Sequence, residues 1–237
     1  MIDLQWGLRF LTMLAVVLLA GCATNQPPVA MDQNFWNEKN DTIGVAMNET
    51  PTPSVRMVGQ QGFLDVAFNN AMAEELKAKV ATWDASSMDG LKETVASDLE
   101  QQGFSVVTIQ KPFNYNDYEK NRGAEEGYLE IDVTPLKQRY DIDKLIILSS
   151  SAGTSRSYYG MIPTSDPVAL SSVSTVVVDL DDNRLVYFEP TQVTKPASGD
   201  WDEAPDYPNL TNAFYQALDE SQQITLAPFI AHHLSSS

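Results

Sequence analysis

The stretch that leaves this chain least freedom is SSVSTVVVDLDDNRLVYF, residues 171–188. Residues 171–180 are crowded with β-branched side chains, which favours a strand. Asp181-Asp182-Asn183 has the composition of a turn, and residues 184–188 return as the hairpin partner. Upstream, the run LIIL at 145–148 is apolar on both parities. That pattern suits a central strand covered on both faces.

Helices to pack on such a sheet are readable from period. Leu64, Phe68, Met72, Leu76 and Val80 recur every four residues and predict a helix over 64–80. Met88, Leu91, Val95 and Leu99 form a second stripe, with Ser86 as its cap and Gly103 at its left-handed end. A third helix is expected over 210–222, with Leu210, Ala213, Phe214, Ala217 and Leu218 on one face and Asn209 as cap. Pro228 should interrupt anything helical beyond it. Further strands are predicted at 42–47, 104–109 and 128–133, the last by strict alternation. Residues 48–53 read as a proline-stiffened loop, and 111–127, 149–170 and 191–208 as longer loops. The fold class that follows is α/β (α+β): a single domain with a mostly antiparallel sheet packed against two or three helices.

The amino terminus carries a different signal. Residues 10–20 hold no charge, but the run falls short of the roughly 20 apolar residues a bilayer span needs. It suits the apolar region of an export signal. It leads into Leu19-Ala20-Gly21-Cys22, which resembles the bacterial lipobox. The resemblance implies that the Cys22 thiol is acylated and that residues 1–21 are removed. Ala23 stands where aspartate would signal inner-membrane retention, so the implied destination is the outer membrane, facing the periplasm. An ordinary signal peptide, or a short buried helix with an incidental cysteine, is the competing reading. The expected organisation is a signal peptide at 1–21, a lipidated tether at 22–40, the α/β domain at 41–230 and a disordered tail at 231–237.

Cys22 is the only cysteine, and the formal charge is −17. Once Cys22 is acylated no disulfide can form within the chain, so its core must stabilise the fold unaided. The acidity argues against nucleic acid as a partner, since that needs a positive surface to displace counterions. It argues equally against an electrostatic grip on anionic lipid.

From Asp143 onward, KLIILSS, a loop with Gly153-Thr154, a strand ending Val178-Asp179-Leu180, an acidic turn, Leu185-Val186-Tyr187-Phe188 and the helix NLTNAFYQALDES follow in order. This order resembles the small α/β domain of envelope lipoproteins related to the TolB amino-terminal domain. That group includes the curli-secretion lipoproteins and the activators of penicillin-binding proteins. Tyr187-Phe188 replaces the group's tryptophan, and the turn lacks its usual Thr-Gly. The resemblance implies an accessory subunit more than any one activity.

The candidate chemistry is thin. His232 and His233 lie near the end of the chain, so Ser149, Ser150 and Ser151 have no histidine base on a firm element. Asp179, Asp181, Asp182 and Asn183 could gather oxygens for Ca²⁺, but the composition of a hairpin turn explains them as well. Asp200, Asp202, Glu203 and Asp206 form an acidic loop first and a cation site second. Glu125, Glu126 and Glu130 have nothing to position them as a glycosidase pair. Gly153-Thr154-Ser155 lacks the phosphate-loop pattern. No metal, cofactor or catalytic residue is therefore assigned.

The aromatic residues in loops carry the functional lead. Phe113, Tyr115 and Tyr118, and separately Tyr158, Tyr159 and Met161, are the candidate partner-binding residues. Their alternative role is a loop's own small core. The expected function is a non-enzymatic, lipid-anchored periplasmic protein that binds an envelope protein partner. A subunit of a self-assembling envelope or secretion complex is the alternative, and an envelope hydrolase comes third.

Overall fold

The structure is a computed structural model that describes residues 26–121 and 124–235. The expected signal peptide and Cys22 lie outside the described residues. The chain forms a mixed α/β domain around one open seven-stranded sheet. Its central strand is β4 (Lys144–Tyr159), sixteen residues long. On one side β6 (Val168–Asp179) runs antiparallel to it, and β7 (Leu185–Pro196) runs antiparallel to β6. On the other side β1 (Thr42–Met47) lies parallel to the first half of β4, with β3 (Ser105–Thr108) parallel outside it. Beyond β1, β2 (Ser54–Gln60) continues parallel along the second half of β4. The short β5 (Ile162–Pro163) folds back on the end of β4. The two longest ladders are antiparallel, as the fold-class reading expects.

LIIL does lie between two covered faces. Ile146 and Leu148 join Val173 and Val177 in one core cluster, and Leu145 and Ile147 join Val176 and Val178 in another. The first cluster is covered by α2 (Glu74–Val80), α3 (Leu91–Gln101) and α5 (Pro208–Ser235). The second is covered by irregular chain from Ile109 to Ile142, including the short α4 (Pro135–Tyr140). Gly103 ends α3 at φ +88°, and Phe104 N–H bonds back to the Leu99 carbonyl.

Several expectations are corrected. The loop expected at 149–170 holds eleven more residues of β4, followed by β5 and the start of β6. SSSAGTSRSYY shows no apolar alternation because strands flank it on both sides and small residues fill the gaps. β2 was not expected at all. Asn48 bridges the break between β1 and β2 by imitating a strand: its Oδ1 accepts from Ser150 N–H (2.8 Å) and its Nδ2 donates to the Ser150 carbonyl (3.2 Å).

The helix expected over 64–80 is broken at Ala73 into α1 (Phe63–Met72) and α2. Of its expected stripe only Leu76 and Val80 are buried. Residues 128–133 form no strand. Their backbone makes isolated bridges instead, Tyr128 to Arg184 and Ile131 to Lys120, and a side chain adds to them: Asn183 Nδ2 donates to the Leu129 and Ile131 carbonyls, and its Oδ1 accepts from Val133 N–H.

The last helix continues through Pro228 to Ser235, so the tail expected from 231 is helical backbone as far as that residue. Asn209 does not cap it. That side chain donates to the Asp200 carbonyl and to Glu203 Oε2, tying down the preceding loop. The tether expected over 22–40 is also shortened. Val29 exchanges two backbone hydrogen bonds with Phe188 (2.8 and 3.0 Å), and Phe35 is buried against Phe104 with ring centroids 5.4 Å apart. From Val29 onward the chain belongs to the folded body.

Two buried groups give the domain an alkaline limit. Burial opposes the charge on Lys144, but ion pairs with Asp41 and Glu38 outweigh it and hold its pKa above the usual value. Tyr187 is pushed up to about 12, first by burial and then by Glu189. Both groups favour their protonated forms when folded, so the stability they contribute is complete below their ordinary values near 10. For Tyr187 it is lost as pH rises toward 12, and for Lys144 it is lost as pH rises through its raised folded value. Thermal unfolding followed from pH 9 to 12 should show the melting temperature falling above about pH 10, with on the order of 2 kcal/mol lost by pH 12.

Candidate binding cleft

The chain between β3 and α4 makes an aromatic structure on the second core face. It first extends the β1 ladder, with Ile109 N–H bonding to the Val45 carbonyl and Phe113 N–H to the Met47 carbonyl, both at 2.8 Å. This plants Phe113 in the core beneath two tyrosines. Tyr118 stacks on it (centroids 5.0 Å apart, rings 17° from parallel), and Tyr115 meets it edge-on (5.0 Å, 85°). The chain then pairs with itself through Asn121 N–H to the Glu130 carbonyl (2.7 Å) and Asp132 N–H to the Glu119 carbonyl (2.9 Å).

Between this excursion and the sheet lies a cleft of about 700 Å³. Tyr115 and Tyr118 form one wall, and Tyr128, Leu129 and Ile131 form another. Val176, Leu185, Phe188 and Pro190 from β6 and β7 make the apolar floor. Among the described residues, Lys120 and Glu130 are the charged side chains that line it. Burial raises the hydroxyl pKa of Tyr115, against a weak bond from Ser149 (3.4 Å), and burial also raises that of Tyr118. Both phenols are therefore neutral at physiological pH. They offer O–H donors at the rim of an apolar trough, a combination that suits polypeptide better than a highly charged ligand.

A second cleft of about 400 Å³ lies behind Tyr118, edged by Arg139, Tyr140 and the Lys111–Asp117 ion pair at 2.6 Å.

Of the six aromatic-group candidates, Phe113, Tyr115 and Tyr118 come together here, and Phe113 serves as their buried foundation. Tyr158, Tyr159 and Met161 do not join them. They sit at the far end of β4, where Tyr158 is buried and Tyr159 and Met161 are exposed. Tyr128 and the floor from β6 and β7 were missed. The alternation in 128–133 did place Leu129 and Ile131 on a shared apolar face, but nothing in the sequence brought that face to β6.

Several of the acidic candidates have partners of their own. Asp179 accepts from Asp181 N–H, Asp182 accepts from Arg184 N–H, and Lys137 bridges Asp143 (3.2 Å) and Asp181 (2.6 Å). Asp143 is held below its usual pKa, chiefly by the Thr42 N–H bond. Asp206 pairs with Lys79 at 3.1 Å. Among the described residues no group of three or more His, Cys, Asp or Glu side chains is placed to hold a metal ion. None of the described helices is long and apolar enough to cross a membrane.

No family model matches this chain, and no curated protein matches it. Among solved structures, the lipoprotein GNA1162 from Neisseria meningitidis is 14% identical with a TM-score of 0.32, covering 78% of this chain and 98% of its own. The LpoB carboxy-terminal domain from Salmonella enterica is 10% identical with a TM-score of 0.25, covering 78% and 94%. A PelC dodecamer from Paraburkholderia phytofirmans is 9% identical with a TM-score of 0.31, covering 88% and 95%. Overlaps this loose establish neither a shared activity nor a shared assembly.

Proposed function

We propose that this chain is a lipid-anchored, non-enzymatic accessory protein of the bacterial envelope. Anchored at the outer membrane and facing the periplasm, it holds a protein partner in the cleft between Tyr115, Tyr118 and Tyr128. The observation that carries the reading is the cleft's chemistry: an apolar floor, a tyrosine rim and few charges among the described residues. Tyrosine gives large contact area with little side-chain entropy to lose, which is why it recurs at binding centres.

The lipobox supplies the anchor in this reading. Cys22 precedes Val29, the first described residue bonded to the sheet, by seven residues, a reach of at most about 24 Å. The cleft begins beside that attachment, since Gln26 lines it and accepts from Gly127 N–H. The cleft therefore stays close to the membrane that holds Cys22.

The test is a crosslinking pulldown from intact cells, comparing the full chain with a Tyr115→Ala/Tyr128→Ala variant and with Cys22→Ser. The wild-type chain should fractionate with outer membranes and bring down one reproducible partner. The double variant should stay at the membrane and lose most of the partner, a drop of about tenfold. The Cys22→Ser chain should leave the membrane. Equal recovery with the double variant rejects the cleft, and unchanged membrane association of Cys22→Ser rejects the anchor.

A further inference from the structure

Helix α1 turns its apolar side chains outward. Phe63 is 89% exposed, Leu64 73% and Met72 72%, whereas Asn69 on the same helix is 1% exposed. Asn69 is inside because its amide donates to the Gly160 carbonyl and to Gln61 Oε1, both at 2.9 Å. Those bonds clamp α1 onto the β4–β5 turn, which adds the exposed Tyr159 and Ile162. These five residues present about 700 Å² at such exposures, and the partly exposed Val66, Phe68 and Met161 enlarge the face. The largest patch on an ordinary monomer is about 300–600 Å², and a stable interface takes about 800 Å² from each partner. The patch borders a free sheet edge, because β2 leads directly into α1 and, among the described strands, pairs with β4 alone.

We propose that a second copy of this chain covers this face, forming a two-fold dimer in which each α1 patch packs on its equivalent and the two β2 edges lie side by side. Charge selects the surface. Two chains of −17 repel each other wherever carboxylates face carboxylates. Over β2 and α1, residues 54–72, the charges are Arg56 near the start of the edge strand and Asp65, whose carboxylate accepts from the Gly62 N–H at 2.8 Å. An anionic bilayer fits this face poorly. Arg56 is the one basic residue on these two elements, too few for a grip on anionic lipid, and the exposed Glu74 and Glu75 follow α1. A free edge strand pairs antiparallel with its own copy about a two-fold axis, which gives a closed contact rather than an open chain. The inference does not rest on the proposed anchor or partner cleft. Val29 lies level with Phe188, Val176 and Ile147, roughly 40 Å along β4 from Tyr159.

The experiment places single cysteines at the patch in the full chain, Leu64→Cys and Met72→Cys, with Tyr128→Cys as control. Whole cells making each chain are treated with copper–phenanthroline, and all of the chain, from every fraction, is run without reductant. The patch variants should give a band at twice the chain mass, and the control should not. Adding Phe63→Glu to the Leu64→Cys chain should cut that band about tenfold while circular dichroism stays native. Wild type should give no dimer band, since the proposal uses no Cys22 thiol; a wild-type band would report a free Cys22 and count against the anchor alone. Absence of the dimer from both patch variants overturns the proposal. So does its survival with Phe63→Glu, or a crosslinked product of some other mass.

Discussion

Replacing Gly153 by alanine should lower stability by about 3–4 kcal/mol, enough to drop the melting temperature by roughly 10 °C. A Cβ at Gly153 would stand 1.9 Å from the Ser54 carbonyl oxygen and 2.6 Å from the Ser54 nitrogen. Both atoms are backbone at the start of β2, so no side chain can rotate away. The φ of +150° adds strain for any L side chain. Relief requires β2 to move off β4. Two other glycines separate these effects. Gly103 shares a positive φ (+88°) but has open space around its Cβ direction, so Gly103→Ala should cost only about 1 kcal/mol. Gly90 has an ordinary φ of −75° and open space, and Gly90→Ala should be neutral within about 0.5 kcal/mol. Urea unfolding of the three variants measures all of this, and equal losses in all three would contradict the close approach at β2.

Asn183→Ala should cost about 3 kcal/mol. The side chain is buried and makes three hydrogen bonds, to Val133 N–H and to the Leu129 and Ile131 carbonyls. Alanine would leave the fully buried Val133 N–H without this partner, and it tolerates the φ of +67° less well than asparagine. Asn183→Asp keeps an acceptor for Val133 but loses both donors, so it should fall between alanine and wild type. The damage should be local first, because Leu129 and Ile131 line the cleft. Limited proteolysis should cut within residues 119–132 before the sheet unfolds. Wild-type protease resistance of that segment in Asn183→Ala would show that something else holds it.

These two positions also show where the sequence was readable. The sheet centre was legible because apolar periodicity reports burial directly. LIIL is apolar on both parities and is covered on both faces; Val95 and Leu99 repeat at helical spacing and face the core. The second half of β4 was not legible. Up to Ser155 its residues are serine, alanine, glycine and threonine, set by the closeness of β2 and β6 rather than by a periodic apolar face. α1 misled for the opposite reason. Leu64, Phe68 and Met72 continue the spacing of Leu76 and Val80 in perfect register, yet the break at Ala73 turns them to solvent. Period shows that a face is apolar, not what covers it. The cleft was half legible: loop aromatics marked Tyr115 and Tyr118, but its floor depends on Asn183, a turn residue by composition, holding residues 129–133 over β6.

The central claim, that the tyrosine-rimmed cleft holds a protein at the envelope, is tested most directly by a photoactivatable amino acid in place of Tyr128 in the full chain. Irradiated in intact cells, it should yield one discrete crosslinked protein, and the Tyr115→Ala change in the same chain should remove that product. If irradiation gives no protein adduct while the chain is folded and at the membrane, or if the adduct survives Tyr115→Ala undiminished, the cleft is not the binding site.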